Sequence, residues 1–264
     1  MRRWWQAHRE WRDARAMARR AIPDALWQLT LQRLPFLAVR DAAALERLRR
    51  LASLFLDRKE FSGAGGFVVT DEIAVAVAAQ ACLPILELGI EAYDGFVGIV
   101  MHASAVRADR SVMDEHGIVH EWEEELAGEA MDGGPLMLSW EDVLPGGDAA
   151  ASGAAPYNVV IHEFAHVLDM RDGLADGVPL LPDDVARKAW LGALQPEFDK
   201  FCERVVCGHE TLLDPYAAQA VDEYFAVAAE AFFVAPAALR EEQPVTYRLL
   251  AGYFRQDPAS AESI

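Results

Sequence analysis

Cysteine is scarce in this chain of 264 residues, which contains only Cys82, Cys202 and Cys207. Three scattered thiols are too few for a disulfide framework or a thiolate metal site, so we expect them to be reduced, as in a reducing compartment. Basic charge is also in short supply, because 24 Lys and Arg face 42 Asp and Glu for a formal net charge of −18. This balance argues against direct binding to nucleic acid and against an anionic membrane as the main partner.

Long apolar runs are missing as well. The longest, residues 73–86, is interrupted by Gln80 and Pro84, and it falls short of the roughly 20 residues that a membrane span needs. The N-terminus lacks the apolar centre of a signal peptide. We therefore predict a cytoplasmic protein without a membrane segment. What the chain does have, 53% hydrophobic and 25% charged residues, is a globular composition with ample material for a core.

The first twenty residues reverse the charge of the rest, with seven arginines and two acids. We interpret them as an amphipathic helix packed on an acidic body, with a partner-docking arm as the alternative. Helical periodicity continues over residues 22–56. No internal repeat or long flexible linker divides the chain.

Downstream, strand and helix signals follow one another. Short apolar segments bounded by glycine predict strands at residues 95–102 and 134–140, and the acid-rich segment 118–130 between them predicts a surface hairpin or loop. Helical patterns cover residues 71–82, 157–170, 183–206, 214–234 and 244–254. A few strands followed by a run of helices predict an α+β fold.

The segment that carries chemistry is His162-Glu163-Phe-Ala-His166, an HExxH motif with mostly apolar flanks. On a helix, two histidines four residues apart share one face, where both imidazoles can bind one Zn²⁺ ion. Glu163 would then lie beside the open position of the metal and accept a proton from bound water. The structural alternative is two hydrogen-bonded core histidines with an incidental glutamate.

A catalytic zinc ion needs a third protein ligand. Asp172 is one candidate, but that spacing needs a sharp break after His166, which a glycine three residues on would supply. The chain has Asp169 at that position, and the next glycine is Gly173. We therefore rank Asp172 second.

The better candidate for the third ligand is Glu223, which lies in an apolar segment where unpaired carboxylates are rare. If residues 214–234 form one helix capped by Asp214, then Tyr216, Glu223 and Glu230 lie two turns apart on one face. Glu223 could then bind zinc, Tyr216 could reach the reacting carbonyl, and Glu230 could orient a histidine ligand. The alternative for each glutamate is a surface or helix-pairing role.

Two further segments leave alternatives open. His116 and His120, followed by Glu121, also have ligand-like spacing, but charged neighbours surround them, and we interpret them as a solvated loop. Residues 134–140 precede the motif helix and form either an edge strand that pairs with extended substrate or an ordinary core strand.

Six sequence blocks together resemble the Mlc titration factor A family of zinc-dependent peptidases. The resemblance runs from about residue 61 to residue 258, and residues 1–60 match only loosely. The blocks are LPILELG (83–89), DGF (94–96), GPLMLSW (134–140), HEFAHVLDMRDG (162–173), GVPLLP (177–182) and EYFAVAAEAFF (223–233).

The resemblance implies a zincin-like α+β core over residues 61–264, similar to the protease domain of anthrax lethal factor, with residues 1–60 as a helical N-terminal extension. It implies zinc held by His162, His166 and Glu223, Glu163 as general base, and Tyr216 as the group that stabilises the oxyanion. Asp169 lies in a matched block, where it would support a ligand or cap the helix.

The resemblance also implies what the protein acts on. Members of this family are cytoplasmic and aminopeptidase-like, and one member binds the glucose repressor Mlc. The implied partners are a peptide substrate and a transcriptional repressor of the Mlc type. The rival hypotheses are a regulatory protein with a structural or vestigial zinc site, and a metal-assisted hydrolase that acts on other esters or amides.

Overall fold

A computed structural model describes residues 2–113, 119–131, 133–144 and 155–261. No helix within these ranges is long and apolar enough to cross a membrane. The α-helices are α1 (Arg2–Arg19), α2 (Asp24–Arg33), α3 (Pro35–Ala38), α4 (Ala42–Arg58), α5 (Asp71–Cys82), α6 (Trp140–Val143), α7 (Val159–Asp169), α8 (Asp184–Val206), α9 (Val221–Val234), α10 (Pro236–Glu242), α11 (Pro244–Phe254) and α12 (Pro258–Ala261). Short 3₁₀ helices cover Ile90–Tyr93, Met170–Asp172 and Pro215–Ala218.

The main sheet has four strands in the order β1 (Glu60–Gly63), β2 (Gly98–His102), β6 (Leu136–Ser139) and β5 (Gly128–Ala130). The first three are parallel, and β5 runs antiparallel to β6. The strand predicted at residues 134–140 is therefore an internal strand, as the core-strand alternative expects. The strand at that edge of the sheet is β5, which pairs with β6.

A separate antiparallel hairpin is formed by β3 (Val106–Met113) and β4 (Val119–Leu126). The hairpin predicted for the acid-rich segment is thus confirmed for residues 119–126, but residues 128–130 leave it and join the main sheet. The segment that contains His116, His120 and Glu121 is predicted from its sequence to be a solvated loop. From His120 onward this prediction is wrong, because the backbone there pairs with β3. His116 lies outside the described residues.

The N-terminal helices contribute to the core that supports the motif helix. Asp41 caps α4 by accepting a hydrogen bond from the backbone N–H of Ala44 at 2.7 Å. The apolar face of α4 buries Phe55 completely, and its ring packs against Phe164 of α7 with centroids 5.5 Å apart. The basic helix α1 joins α4 through the ion pair between Arg19 and Asp57, at 2.8 Å.

The two helices that meet at the centre of the molecule are α7 and α9. Both are almost wholly apolar on their packed faces, because Val160, Ile161 and Phe164 of α7 and Phe225 of α9 are fully buried. Polar side chains that project between two such helices are largely withdrawn from water, which is the setting of the predicted site. The prediction of an α+β fold is confirmed.

Candidate metal centre

The motif helix begins with a side-chain cap. Asn158 accepts a hydrogen bond from the backbone N–H of Ile161 at 2.9 Å, and the helix α7 runs from Val159 to Asp169. The motif lies in the middle of this helix, so its two histidines project from one face. The rings of His162 and His166 have centroids 4.9 Å apart.

The structure brings the two motif histidines together with Glu223 of α9. The Nε2 atoms of His162 and His166 are 3.2 Å apart. Glu223 Oε2 lies 3.2 Å from the first and 3.5 Å from the second. Two ligands that each bind a tetrahedral zinc ion at about 2.0–2.1 Å are about 3.3–3.4 Å apart. The three donor atoms therefore have the mutual spacing that a single tetrahedral metal ion requires.

The chemistry of these donors also fits a cation. Glu223 Oε2 is buried and accepts no hydrogen bond from the residues that the structure describes. Burial would raise the pKa of Glu223, but the close approach of His162 and His166 lowers it far below its usual range. Burial would lower the pKa of His162, but Glu223 and Glu230 raise it well above its usual value. The cluster thus stabilises positive charge between its members, and a divalent metal would supply it.

A hydrogen-bond chain orients His162 from behind. Glu230 Oε1 lies 2.8 Å from His162 Nδ1, and Glu230 Oε2 accepts the backbone N–H of Asn158. With Nδ1–H donated to the carboxylate, the Nε2 lone pair of His162 faces the cluster, as a metal ligand must. Asn158 Nδ2 donates in turn to Gln80 Oε1 of α5 at 2.7 Å. The contact with His162 is the one expected of a glutamate that orients a histidine ligand.

Glu163, the motif glutamate, lies between α7 and the edge strand β5. Its side chain is almost fully buried, and that burial raises its pKa. The backbone N–H of Ala130 donates a hydrogen bond to its carboxylate. Gly128 is so close that a Cβ there would lie 2.6 Å from Glu163 Oε1. A carboxylate with a raised pKa, next to a metal position, has the properties of a general base.

Tyr216 does not lie on the same helix as Glu223, so the single helix predicted from residue 214 is wrong. Asp214 accepts the N–H of Tyr216 at 2.8 Å and caps a 3₁₀ turn, Pro215–Ala218. The backbone of Ala220 is extended, and α9 starts only at Val221. The Tyr216 hydroxyl nevertheless donates to Glu223 Oε1 at 3.2 Å, because the turn folds back over the start of α9.

The other acidic candidates are engaged elsewhere. Asp172 Oδ2 pairs with Arg187 at 2.9 Å, and its Oδ1 accepts the backbone N–H of Leu174 at 3.2 Å. Asp169 is fully buried at the end of α7, where it accepts the backbone N–H of Gly177 at 3.0 Å. Burial raises the pKa of Asp169 to about 6.

A cavity of about 340 Å³ opens beside the cluster. His162, Glu163 and Tyr216 lie on its polar side, and its apolar walls are Leu126, Pro156, Tyr157, Val159 and Val227. Sequence reasoning missed the walls, the glycine beside Glu163 and the role of Gln80. Of these, only Gln80 is visible in the sequence, because it is a polar residue in the apolar part of α5. The structure shows that it is fully buried.

An α+β fold with a candidate metal triad between two packed helices is the arrangement of a metallopeptidase fold. The sequence model of the family described as "Glucose-regulated metallo-peptidase M90" matches residues 8–255, and the chain belongs to this family. The match starts at residue 8, so the family model extends over most of residues 1–60 as well as the range from residue 61 on which the resemblance was based.

Similar proteins cover almost the whole chain. Mlc titration factor A of Serratia proteamaculans is 34% identical over 238 residues, or 89% of this chain and 88% of that protein. Mlc titration factor A of Salmonella agona is 35% identical over 233 residues, or 86% and 84%. An uncharacterized protein of Synechocystis sp. is 33% identical over 251 residues, or 94% and 90%.

Proposed function

We propose that this protein is a zinc-dependent peptidase in which His162, His166 and Glu223 hold the metal. The observation that carries the proposal is the set of three donor atoms 3.2–3.5 Å apart, with a buried glutamate one residue after the first histidine. Two neutral nitrogens and one carboxylate oxygen are a common ligand set of catalytic zinc. Membership in a metallopeptidase family supports the reaction class.

Each residue around the metal position has a separate role in hydrolysis. Bound zinc supplies Lewis-acid activation of water and of the substrate carbonyl. Glu163 accepts a proton from the attacking water at its carboxylate and passes it to the leaving amine, and its raised pKa suits both transfers. The Tyr216 hydroxyl, which donates to Glu223 at rest, turns to donate to the developing oxyanion. Glu230 keeps the Nε2 atom of His162 aimed at the metal.

The edge strand β5 offers a place for an extended peptide. The carbonyl of Ala127 accepts the N–H of Ser139 at 2.7 Å. In the antiparallel ladder, the backbone N–H and C=O groups of residues 127 and 129 therefore point toward β6. The backbone groups of Gly128 and Ala130 face the other way. Because the Ala130 N–H donates to Glu163, a peptide would pair with the groups of Gly128 and with the Ala130 carbonyl. A peptide that pairs there antiparallel to β5 runs toward residues 126–128, which line the apolar cavity. The cavity would then take the side chain of the residue after the scissile bond. Aminopeptidase-like cleavage is the specific activity we propose.

The substitution Glu163→Gln tests catalysis separately from metal binding. It keeps the shape of the side chain and removes the base, so we expect zinc content to stay near one per chain while kcat falls by about 10²–10⁴-fold. The control is Glu72→Gln, which makes the same chemical change in an exposed ion pair with Arg33. Full activity of the Glu163 variant on a panel of aminoacyl and ester substrates would refute the assignment.

A second role is binding of a transcriptional repressor of the Mlc type, supported by the name Mlc titration factor A that similar proteins carry. In this alternative, regulation does not require hydrolysis. Relief of repression by the Glu163→Gln variant in cells, with zinc still bound, would separate the regulatory role from the peptidase role.

A further inference from the structure

The edge strand crosses the motif helix where it has no side chain. A Cβ atom built on Gly128 would lie 2.6 Å from both Cγ and Oε1 of Glu163 and 2.8 Å from its Cδ. Real Cβ atoms do not approach other heavy atoms this closely. The φ of Gly128 is outside the left-handed region. Its backbone conformation therefore does not require glycine, and only the space that Glu163 fills does.

The same strand also holds the carboxylate by a hydrogen bond. The ladder places the N–H of Ala130 on the side that faces away from β6, and this N–H donates to Glu163. Glu163 has little freedom to retreat on its own helix, because its neighbours Ile161 and Phe164 are fully buried. The carboxylate is therefore held between a helix that cannot shift and a strand that contacts it at two residues.

We propose that Gly128 is a positioning residue, whose missing side chain sets where the Glu163 carboxylate lies relative to the metal ligands. This inference rests on the proposed function, in which Glu163 is the general base. An alanine at position 128 would need to move the carboxylate by about 0.8 Å to restore an ordinary contact of 3.4 Å from 2.6 Å. Misplacement of a reacting group by about 1 Å costs about 100-fold in rate.

The first test is Gly128→Ala, with zinc content, kcat and KM measured together. We expect about one zinc per chain, a kcat about 100-fold lower and a KM within about threefold of wild type. Two controls add the same methyl group elsewhere. Gly98→Ala lies in β2, where the new Cβ would make an ordinary 3.4 Å contact with Pro135, and Gly192→Ala lies in α8, where it would touch nothing. Both should keep wild-type kcat.

A double-mutant cycle shows whether Gly128 acts through the base. In the Glu163→Gln background the base is already gone, so the added Gly128→Ala change should lower the residual rate less than twofold. An equal loss in both backgrounds would show that the strand has moved for another reason, and it would overturn the proposal. So would a Gly128→Ala kcat within twofold of wild type.

A readout without activity keeps this inference separate from the proposed function. In a crystal structure of the zinc-loaded Gly128→Ala variant, we expect the Glu163 carboxylate to be displaced while His162, His166 and Glu223 keep their positions. An undisplaced carboxylate would overturn the inference even if the wild type were inactive. If Gly128→Ala does not fold, Ala130→Pro removes the N–H that reaches Glu163 without removing a ladder hydrogen bond. It should lower kcat with zinc retained, and an unchanged kcat would refute the strand's role.

Discussion

Replacing Glu230 with glutamine should weaken zinc binding by about 10- to 100-fold, although His162, His166 and Glu223 are all retained. Glu230 accepts two hydrogen bonds from opposite sides, one from His162 Nδ1 at 2.8 Å and one from the backbone N–H of Asn158. A glutamine side chain has the same shape but only one acceptor oxygen. Its amide nitrogen must therefore face one of two N–H donors, and that contact is repulsive.

The magnitude follows from which donor loses its partner. If His162 does, its ring can rotate or change tautomer, and the Nε2 lone pair no longer points at the metal. Substitutions of such supporting carboxylates cost about 10- to 100-fold in metal affinity, or about 1.4–2.7 kcal/mol. If the backbone N–H of Asn158 loses its acceptor instead, the start of α7 is weakened. That loss appears as a lower melting temperature of the zinc-free protein.

The assay is a competition titration against a chromophoric zinc chelator, with thermal melting of the zinc-free protein measured beside it. The matched control is Glu72→Gln, which removes the same charge from an exposed pair with Arg33 and should leave the zinc Kd unchanged. A zinc Kd for the Glu230 variant within twofold of wild type, in a folded protein, would refute the role that we assign to Glu230.

Four further substitutions test the metal ligands, the cavity and the buried carboxyl group at the end of α7. Glu223→Ala should lower bound zinc from about one per chain to near zero by elemental analysis, whereas Asp172→Ala should retain it, because Asp172 is paired with Arg187. Val227→Ala enlarges the apolar cavity and should raise kcat/KM for peptides with bulky side chains by about 10-fold relative to small ones. Because the pKa of Asp169 is raised to about 6, its ionisation disfavours the folded state, so the free energy of unfolding should fall between about pH 4 and 7 by at most about 3 kcal/mol. Asp169→Asn should remove that slope in urea unfolding.

Local patterns in the sequence predicted the motif helix and its neighbours well. The spacing of His162 and His166 is set by helix geometry alone, and apolar periodicity marks α5 and α11 at the bounds that the structure has. The break before α9 was missed, because Asp214 followed by proline is an equally good start for a 3₁₀ turn and for an α-helix. The contact between Tyr216 and Glu223 depends on how that turn folds back.

The edge strand could not be predicted from its residues. It is only three residues long and follows an acid-rich hairpin, so it carries no alternating apolar pattern of its own. Its place beside Glu163 comes from pairing with β6, which is a tertiary contact. In the sequence, Gly128 resembles an ordinary turn residue. Only the structure shows that the Glu163 side chain occupies the space where a Cβ atom at position 128 would lie.

The same burial that prepares this site for a metal makes the metal-free fold costly. Glu163, Glu223 and Glu230 lie close together with two imidazoles in a largely apolar interior, and burial leaves the pKa values of Glu163 and Glu230 raised. Without a cation, the negative charge of these carboxylates raises the pKa of His162, so a proton on that imidazole offsets part of the charge. A metal that binds the folded state alone adds about 2.7 kcal/mol of stability at 100 times its Kd. Zinc should therefore raise the melting temperature even of the Glu163→Gln variant, because stabilisation depends on the ligands and not on the base.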